Sequence, residues 1–264
     1  MVARRADGYH DVSMIMQEVD LCDTLEIEQS EGDGIELSCA TLSCDSGNIV
    51  YRAAEAFYDA THIRALCTIK LTKRIPVCAG LGGGSSDAAA TLKALNTLNG
   101  CPLSESELSK LALKLGADVP FFIAGGTALA CGIGEKLSRI CVSEKKWVVL
   151  IKPDIDISTA LAYRELDSKP TRHPDTQKAC EYLRMGDFER MYEHCGNSFE
   201  EVCRSKHPEI GIIKSHLLSC GAEFAMMSGS GPTVFGIFSV EAAARSAFES
   251  YKGSFQGGGV AKFV

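Results

Sequence analysis

Residues 76–90, PVCAGLGGGSSDAAA, constrain this chain more than any other stretch. An alternating apolar strand at 65–71 leads to Pro76, and Gly80, Gly82, Gly83 and Gly84 then crowd into five positions. Ser85, Ser86 and Asp87 follow, ahead of an alanine-led amphipathic segment. Glycine lets the backbone enter φ > 0 and leaves no Cβ between the amides and a ligand. A helix entered from such a loop points its unpaired N–H groups and the positive end of its dipole at one place. That is an anion site, and phosphate is the usual biological anion there. A flexible glycine turn joining strand to helix is the plainer alternative. Four glycines, two hydroxyls and an acid at one junction favour the cradle.

Two phosphate motifs are excluded. A Walker loop needs Lys and then Ser or Thr after its last glycine, whereas Gly84 is followed by Ser85 and Ser86. A dinucleotide fingerprint needs GxGxxG, but Ser85 stands three residues after Gly82 and Asp87 three after Gly84.

At 264 residues the chain is expected to form one or two domains. Its 45% hydrophobic and 23% charged content is that of an ordinary soluble protein. A net charge of −7 argues against nucleic acid as a partner, which needs a basic face. No run approaches a membrane span, and the N-terminus carries no apolar h-region, so a cytoplasmic protein is expected. The twelve cysteines have no CxxC or Cys/His ligand spacing, and Cys67, Cys78 and Cys131 lie in apolar context. Buried reduced thiols are expected, and a structural zinc is not.

Short alternating runs at 13–38, parted by a polar turn at 30–34, predict strands. A helix is expected over 48–60, and another after the glycine loop with Ala88, Leu92 and Leu95 on one face, stopping near Asn99-Gly100. Ser104 to Glu107 forms a capping box, Gly116 ends the helix behind it, and 117–120 reads as a turn before apolar Phe121-Phe122-Ile123. Beyond 147 the order is strand (147–151), helices (176–219), strand (222–227), strand (233–238), helix (240–251) and strand (259–264). That order is a split βαβ, ferredoxin-like unit. The whole reads as α+β in two domains, 1–143 and 144–264, with an exposed loop at 168–176.

Four segments then match a known family in order. They are RADGYHDVSMIMQEVDLCDTLEI (5–27, with its Arg5 start), KRIPVCAGLGGGSSDAAATLKALN (73–96), LGADVPFFIAGGTALACGIGE (115–135) and MSGSGPTVFGIF (227–238). Together they resemble the 4-diphosphocytidyl-2-C-methyl-D-erythritol kinases, within the galactokinase, homoserine, mevalonate and phosphomevalonate kinase superfamily. The glycine loop and the SGSGP turn point to the superfamily. Asp7-Gly8-Tyr9-His10 and the turn at 116–120 point to this member.

The resemblance implies an N-terminal domain like the second domain of a ribosomal protein and a ferredoxin-like C-terminal domain. It implies transfer of the γ-phosphoryl of ATP to the 2-hydroxyl of 4-diphosphocytidyl-2-C-methyl-D-erythritol, on the non-mevalonate route to isoprenoids. By the same resemblance Pro76, Val77, Cys78, Ala79, Gly80, Leu81, Gly82, Gly83, Gly84, Ser85 and Ser86 form the ATP-phosphate loop. Lys73 matches a lysine at the nucleotide edge; a solvated charge at a strand end is its other reading. Mg2+ is implied between the phosphates, with no protein ligand fixed. Asp118 matches the catalytic base, its other reading being an N-cap or Asx-turn acid beside Pro120. Tyr9 and His10 match the cytosine-recognition pair, Tyr9 stacking and His10 hydrogen-bonding, and Tyr163 aligns with a second aromatic. Gly229 and Gly231 shape a C-terminal loop toward the phosphates, or form a plain hairpin turn.

The family pattern begins with a strand carrying a lysine that assists the aspartate, whereas here Met1-Val2-Ala3-Arg4-Arg5 stands just before the tetrapeptide. A truncated form of a working kinase is expected, since the downstream motifs are intact. A shortened homologue that binds ATP or a cytidine nucleotide without catalysis, and a mevalonate- or homoserine-type kinase, are the alternatives. The oligomeric state is left open.

Overall fold

Along the strand that precedes Pro76, Cys67, Ile69 and Leu71 are buried while Thr68, Lys70 and Thr72 are exposed. A period of two is that of a sheet covered on one face. The computed structural model describes residues 3–5, 8–30, 32, 34–168 and 173–264. Met1, Val2 and Asp7, and parts of the turn expected at 30–34 and of the loop expected at 168–176, lie outside the described residues.

The first elements are β1 (Ala3–Arg4), β2 (His10–Gln17), β3 (Thr24–Gln29), β4 (Gly34–Cys39), α1 (Ile49–Thr61) and β5 (Leu66–Thr72). After the glycine loop come α2 (Gly83–Leu98), α3 (Glu105–Leu115) and α4 (Val119–Ala124), then β6 (Thr127–Gly132) and β7 (Lys136–Ile140). The remainder is β8 (Trp147–Pro153), α5 (Thr159–Asp167), α6 (Thr176–Met185), α7 (Phe188–His194), α8 (Ser198–Arg204) and α9 (Pro208–Ser219). It closes with β9 (Phe224–Met227), β10 (Val234–Phe238), α10 (Glu241–Ser250) and β11 (Phe255–Lys262). The class is α+β.

The chain divides into two compact units. One holds residues 22–75 and 82–125. In it β5 pairs antiparallel with β3 and parallel with β4, and Phe57, Ile69, Leu92 and Leu95 form a fully buried core with α1 and α2. Asn48 caps α1 by accepting from the Val50 amide at 2.9 Å. The capping box at Ser104 and Glu107 is formed. The stretch expected as a turn at 117–120 instead enters α4 at Val119, because Pro120 suits a first helical turn and Phe121 and Ile123 bury their side chains.

The other unit holds the described residues of 1–21, 76–81 and 126–264. In it Leu129 of β6 and Ile140 of β7 bury with Val148 and Leu150 of β8. Strands run β1-β2-β6-β7 in one sheet and β11-β8-β10-β9, all antiparallel, in the second. Val149 and Ile151 of β8 face a core shared with α9 and α10, while Val148 and Leu150 face a core shared with α6 and α7. A strand buried on both faces reads as the continuous apolar run seen here.

Four elements, β1, β6, β7 and α5, have no counterpart in the sequence reading. β11 starts at Phe255 rather than 259, because its glycines sit inside the ladder opposite β8. The buried-thiol expectation holds for Cys67, Cys180 and Cys203 alone; Cys78 is exposed, as are Cys22, Cys44, Cys101 and Cys141. Among the described residues no helix is long and apolar enough to cross a membrane.

Candidate active site

In the unit of 22–75 and 82–125, Lys73 leaves the end of β5 and turns inward. Its side chain is 7% exposed, so it is not a solvated charge. Nζ sits 2.7 Å from Oδ2 of Asp87 and also donates to Asp23. The second oxygen of Asp23 accepts from the backbone amides of Arg74 and Ile75, the latter at 2.9 Å. Burial alone would raise the Asp23 carboxyl, but the Lys73 ammonium and these amides outweigh it and hold it below the usual range. Burial pushes the Asp87 carboxyl up to about 6 against the pull of Lys73, with the Asp23 charge adding to the rise. Lys73 itself, though desolvated, is held above its ordinary value by the two carboxylates.

Gly83 opens α2 against this group. A Cβ there would lie 2.9 Å from Cγ2 of Ile75 and 3.4 Å from Nζ of Lys73. Gly82, the N-cap at φ 67, supplies no capping side chain, so the first amides of α2 are left for another acceptor. The Ser86 hydroxyl turns back to the Gly83 carbonyl at 2.8 Å; Ser85 is half-buried and Gly84 exposed.

Asp118 stands at the N-cap position of α4, yet its side chain makes no capping hydrogen bond. Burial pushes its carboxyl above the usual range.

In the other unit, residues 76–81 lie against the 228–231 loop. Gly80 adopts φ 71, and a Cβ on it would fall 2.4 Å from the Ser228 carbonyl oxygen and 2.9 Å from that of Gly231. The Ser228 hydroxyl donates to the Gly80 carbonyl at 2.8 Å, and the Thr233 amide to the Ala79 carbonyl at 3.3 Å. Gly229 would place a Cβ 3.2 Å from the Gly80 oxygen, so the two glycine turns meet backbone to backbone. Asn197 fixes the second turn by donating to the carbonyls of Met227 and Gly229 at 2.8 and 2.7 Å. Pro76 packs toward Gly257, Val77 and Cys78 are exposed, and Leu81 is partly buried.

His10 opens β2, and Tyr163 lies on α5. Their rings stack at 4.4 Å with 17° between planes, and Tyr163 also meets Phe199 edge-on at 4.8 Å. His10 Nε2 is 2.8 Å from Oδ1 of Asp167. Tyr9, next in chain, is 61% exposed. A cleft of about 470 Å3 beside α8, lined by Asn197, Glu200, Arg204 and Lys214 among others, includes none of the expected site residues.

Asp23, Asp167, Ser228 and Asn197 were not singled out by sequence reasoning, and Asp87 was named only as the acid of the glycine junction. Asp87 had a signal, an acid one turn into an apolar helix face beside Ala88 and Thr91. Asp23 and Asp167 had none, because their partners lie 50 and 157 residues away.

The known families bear on this geometry directly. GHMP kinases N terminal domain matches residues 48–126, and GHMP kinases C terminal matches residues 179–255. The 4-diphosphocytidyl-2-C-methyl-D-erythritol kinase of Bacillus velezensis is 41% identical over 255 residues, covering 96% of this chain and 88% of its own. The chain belongs to the GHMP kinases, in the family of the 4-diphosphocytidyl-2-C-methyl-D-erythritol kinases. That of Alkaliphilus metalliredigens is 44% identical over 253 residues, covering 95% and 87%. A solved 4-(cytidine 5'-diphospho)-2C-methyl-D-erythritol kinase superposes with TM-score 0.83 at 30% identity, over 99% of this chain and 93% of that one. The homoserine kinase of Cytophaga hutchinsonii shares the fold, with TM-score 0.77 at 21% identity over 95% and 88%.

Proposed function

We infer that the chain phosphorylates the 2-hydroxyl of 4-diphosphocytidyl-2-C-methyl-D-erythritol with ATP, in non-mevalonate isoprenoid biosynthesis. The observation that carries this is Asp118, a desolvated carboxylate at a helix start that it does not cap. In the transfer Asp118 takes the proton of the substrate hydroxyl, the freed oxygen bonds to the γ-phosphorus, and the bond from that phosphorus to ADP breaks.

The triphosphate is assigned to residues 76–86, where converging amides donate without a Cβ in the way. Lys73 borders that loop from inside, tied to Asp23 and Asp87, and stiffens its α2 end rather than reaching freely for phosphate. Gly229 and Gly231 act through the first turn, by backing Gly80. Tyr9, His10 and Tyr163 are assigned to the cytosine. Mg2+ would be held with the phosphates at this loop, where the Ser85 hydroxyl is an oxygen donor of the kind such an ion takes, and it would neutralise phosphate charge there.

The strand order β11-β8-β10-β9 supports a ferredoxin-like reading of residues 144–264. The kinship to the second domain of a ribosomal protein is proposed for residues 1–143, with the family boundary at 143/144 between the two matched segments. All twelve cysteines are free thiols, which supports a reducing compartment such as the cytoplasm. The acidic charge of −7 supports small molecules rather than nucleic acid as partners.

The test is direct. Purified protein with ATP and the cytidyl substrate should yield ADP and a new phosphomonoester by phosphorus NMR, with mevalonate and homoserine left unchanged. Turnover of mevalonate or homoserine in preference, or nucleotide binding without turnover, overturns the reading.

A further inference from the structure

Asp167 ends α5 with its carboxylate against β1 and β2. Oδ1 lies 2.8 Å from His10 Nε2, and Oδ2 lies 3.6 Å from Nη1 of Arg4, the residue paired with His10 across the β1–β2 ladder. The His10 side chain is 9% exposed, and Tyr163 covers one face of its ring. The imidazole therefore has its plane set by Tyr163 and its rotation set by Asp167. An ionised carboxylate can only accept, so Nε2 must carry the hydrogen. In the neutral ring the lone pair is then left on Nδ1. Among the described residues no hydrogen bond is made at that nitrogen.

We propose that Asp167 is a positioning residue that locks His10 as an Nδ1 acceptor, so that the site selects a cytosine base over uracil. The chemistry follows from the two bases. Cytosine presents an exocyclic amino donor where uracil presents a carbonyl oxygen. An acceptor nitrogen bonds the first and meets the second lone pair to lone pair, which leaves a desolvated polar pair unsatisfied. With the hydrogen on Nδ1 instead, the preference would reverse. This rests on the cytidyl assignment given above. It goes beyond it in naming the atom that reads the base and the residue that sets the atom's state.

The experiment uses the full chain with CDP and UDP as probes, and Asp167→Ala and Asp167→Asn as variants. The wild type should bind CDP about tenfold or more tighter than UDP, the value of one net hydrogen bond. Asp167→Ala should bring the ratio close to one, mainly through weaker CDP binding, with KM for ATP within about twofold. Asp167→Asn, whose carbonyl still accepts from Nε2, should restore most of the ratio. Nitrogen-15 NMR of unliganded wild type should find His10 bare at Nδ1 and protonated at Nε2. A CDP/UDP ratio unchanged in Asp167→Ala, an equal loss for ATP and CDP, or a proton on Nδ1 with Nε2 bare overturns the proposal. Absence of CDP binding in the wild type itself removes the cytidyl reading and this proposal with it; failure of Asp167 alone leaves CDP binding in place.

Discussion

Nζ of Lys73 and Oδ2 of Asp87 lie 2.7 Å apart, with side chains 7% and 4% exposed. Asp23 reaches the same ammonium from the residue just before β3, at 2% exposure. Two carboxylates thus share one buried cation beside the glycine at the head of α2. Such a group is costly to leave incomplete, because each unpaired charge would keep its desolvation penalty.

Lys73→Met should therefore destabilise the protein by about 3–5 kcal/mol, the usual cost of breaking a buried pair by removing one partner. Urea denaturation at neutral pH measures it. A loss below about 1 kcal/mol would mean the two acids find water or protons freely, and the buried network would be wrong.

The same trio gives stability a pH signature. Asp87 is pushed from an ordinary 3.8 up to about 6, so the folded state holds a proton that the unfolded chain has released. Its contribution is full below the unfolded value and is lost as pH rises through about 6. Asp23, depressed, acts oppositely: its contribution is present above its unfolded value and is lost as pH falls through the lower folded one. Between about pH 4 and 6 the Asp87 effect should dominate the difference between wild type and Asp87→Asn. Denaturation midpoints across that range should show the wild type losing stability relative to the variant as pH rises. A flat difference contradicts the assignment.

Gly80→Ala should abolish tight ATP binding. The new methyl would fall 2.4 Å from the Ser228 carbonyl oxygen, a backbone atom that cannot swing aside, at a φ of 71 that alanine resists. Calorimetric titration with ATP, alongside circular dichroism to follow the fold, reads the effect. Unchanged affinity would place the triphosphate away from this loop.

Tyr9→Ala should weaken the cytidyl substrate by ~1–3 kcal/mol, the value of one aromatic–base stack, and leave ATP nearly untouched. Tyr9 is 61% exposed, so its removal leaves the core intact and the two affinities separate cleanly. Equal losses would point to damage rather than recognition.

Much of the fold was legible because its signals are local. The alternation of β5, the Asn48 cap, the capping box at Ser104 and the glycine-rich entry to α2 each lie within a few residues of one another. β6 escaped because its run of small buried residues carries no alternation, and β11 was shortened because glycines inside a ladder look like turn residues. The local position of Asp118 was visible, but that its side chain leaves α4 uncapped was not. The partners of Lys73 and His10 were invisible, since a carboxylate 50 or 157 residues away leaves no trace in spacing. Lys73 accordingly read as a surface charge or a ligand contact, and it is a buried member of a charge network.

The most direct test of the kinase account is kcat of Asp118→Asn with the cytidyl substrate, measured beside KM for ATP across pH. Asparagine keeps the shape but cannot take the hydroxyl proton, so turnover should fall by roughly 10² or more while KM for ATP stays within a few-fold. The wild-type rate should decline as pH falls through the raised Asp118 value, because only the ionised carboxylate is a base, and the variant should lack that limb. Near-normal turnover in Asp118→Asn, with the acid limb intact, would contradict the account.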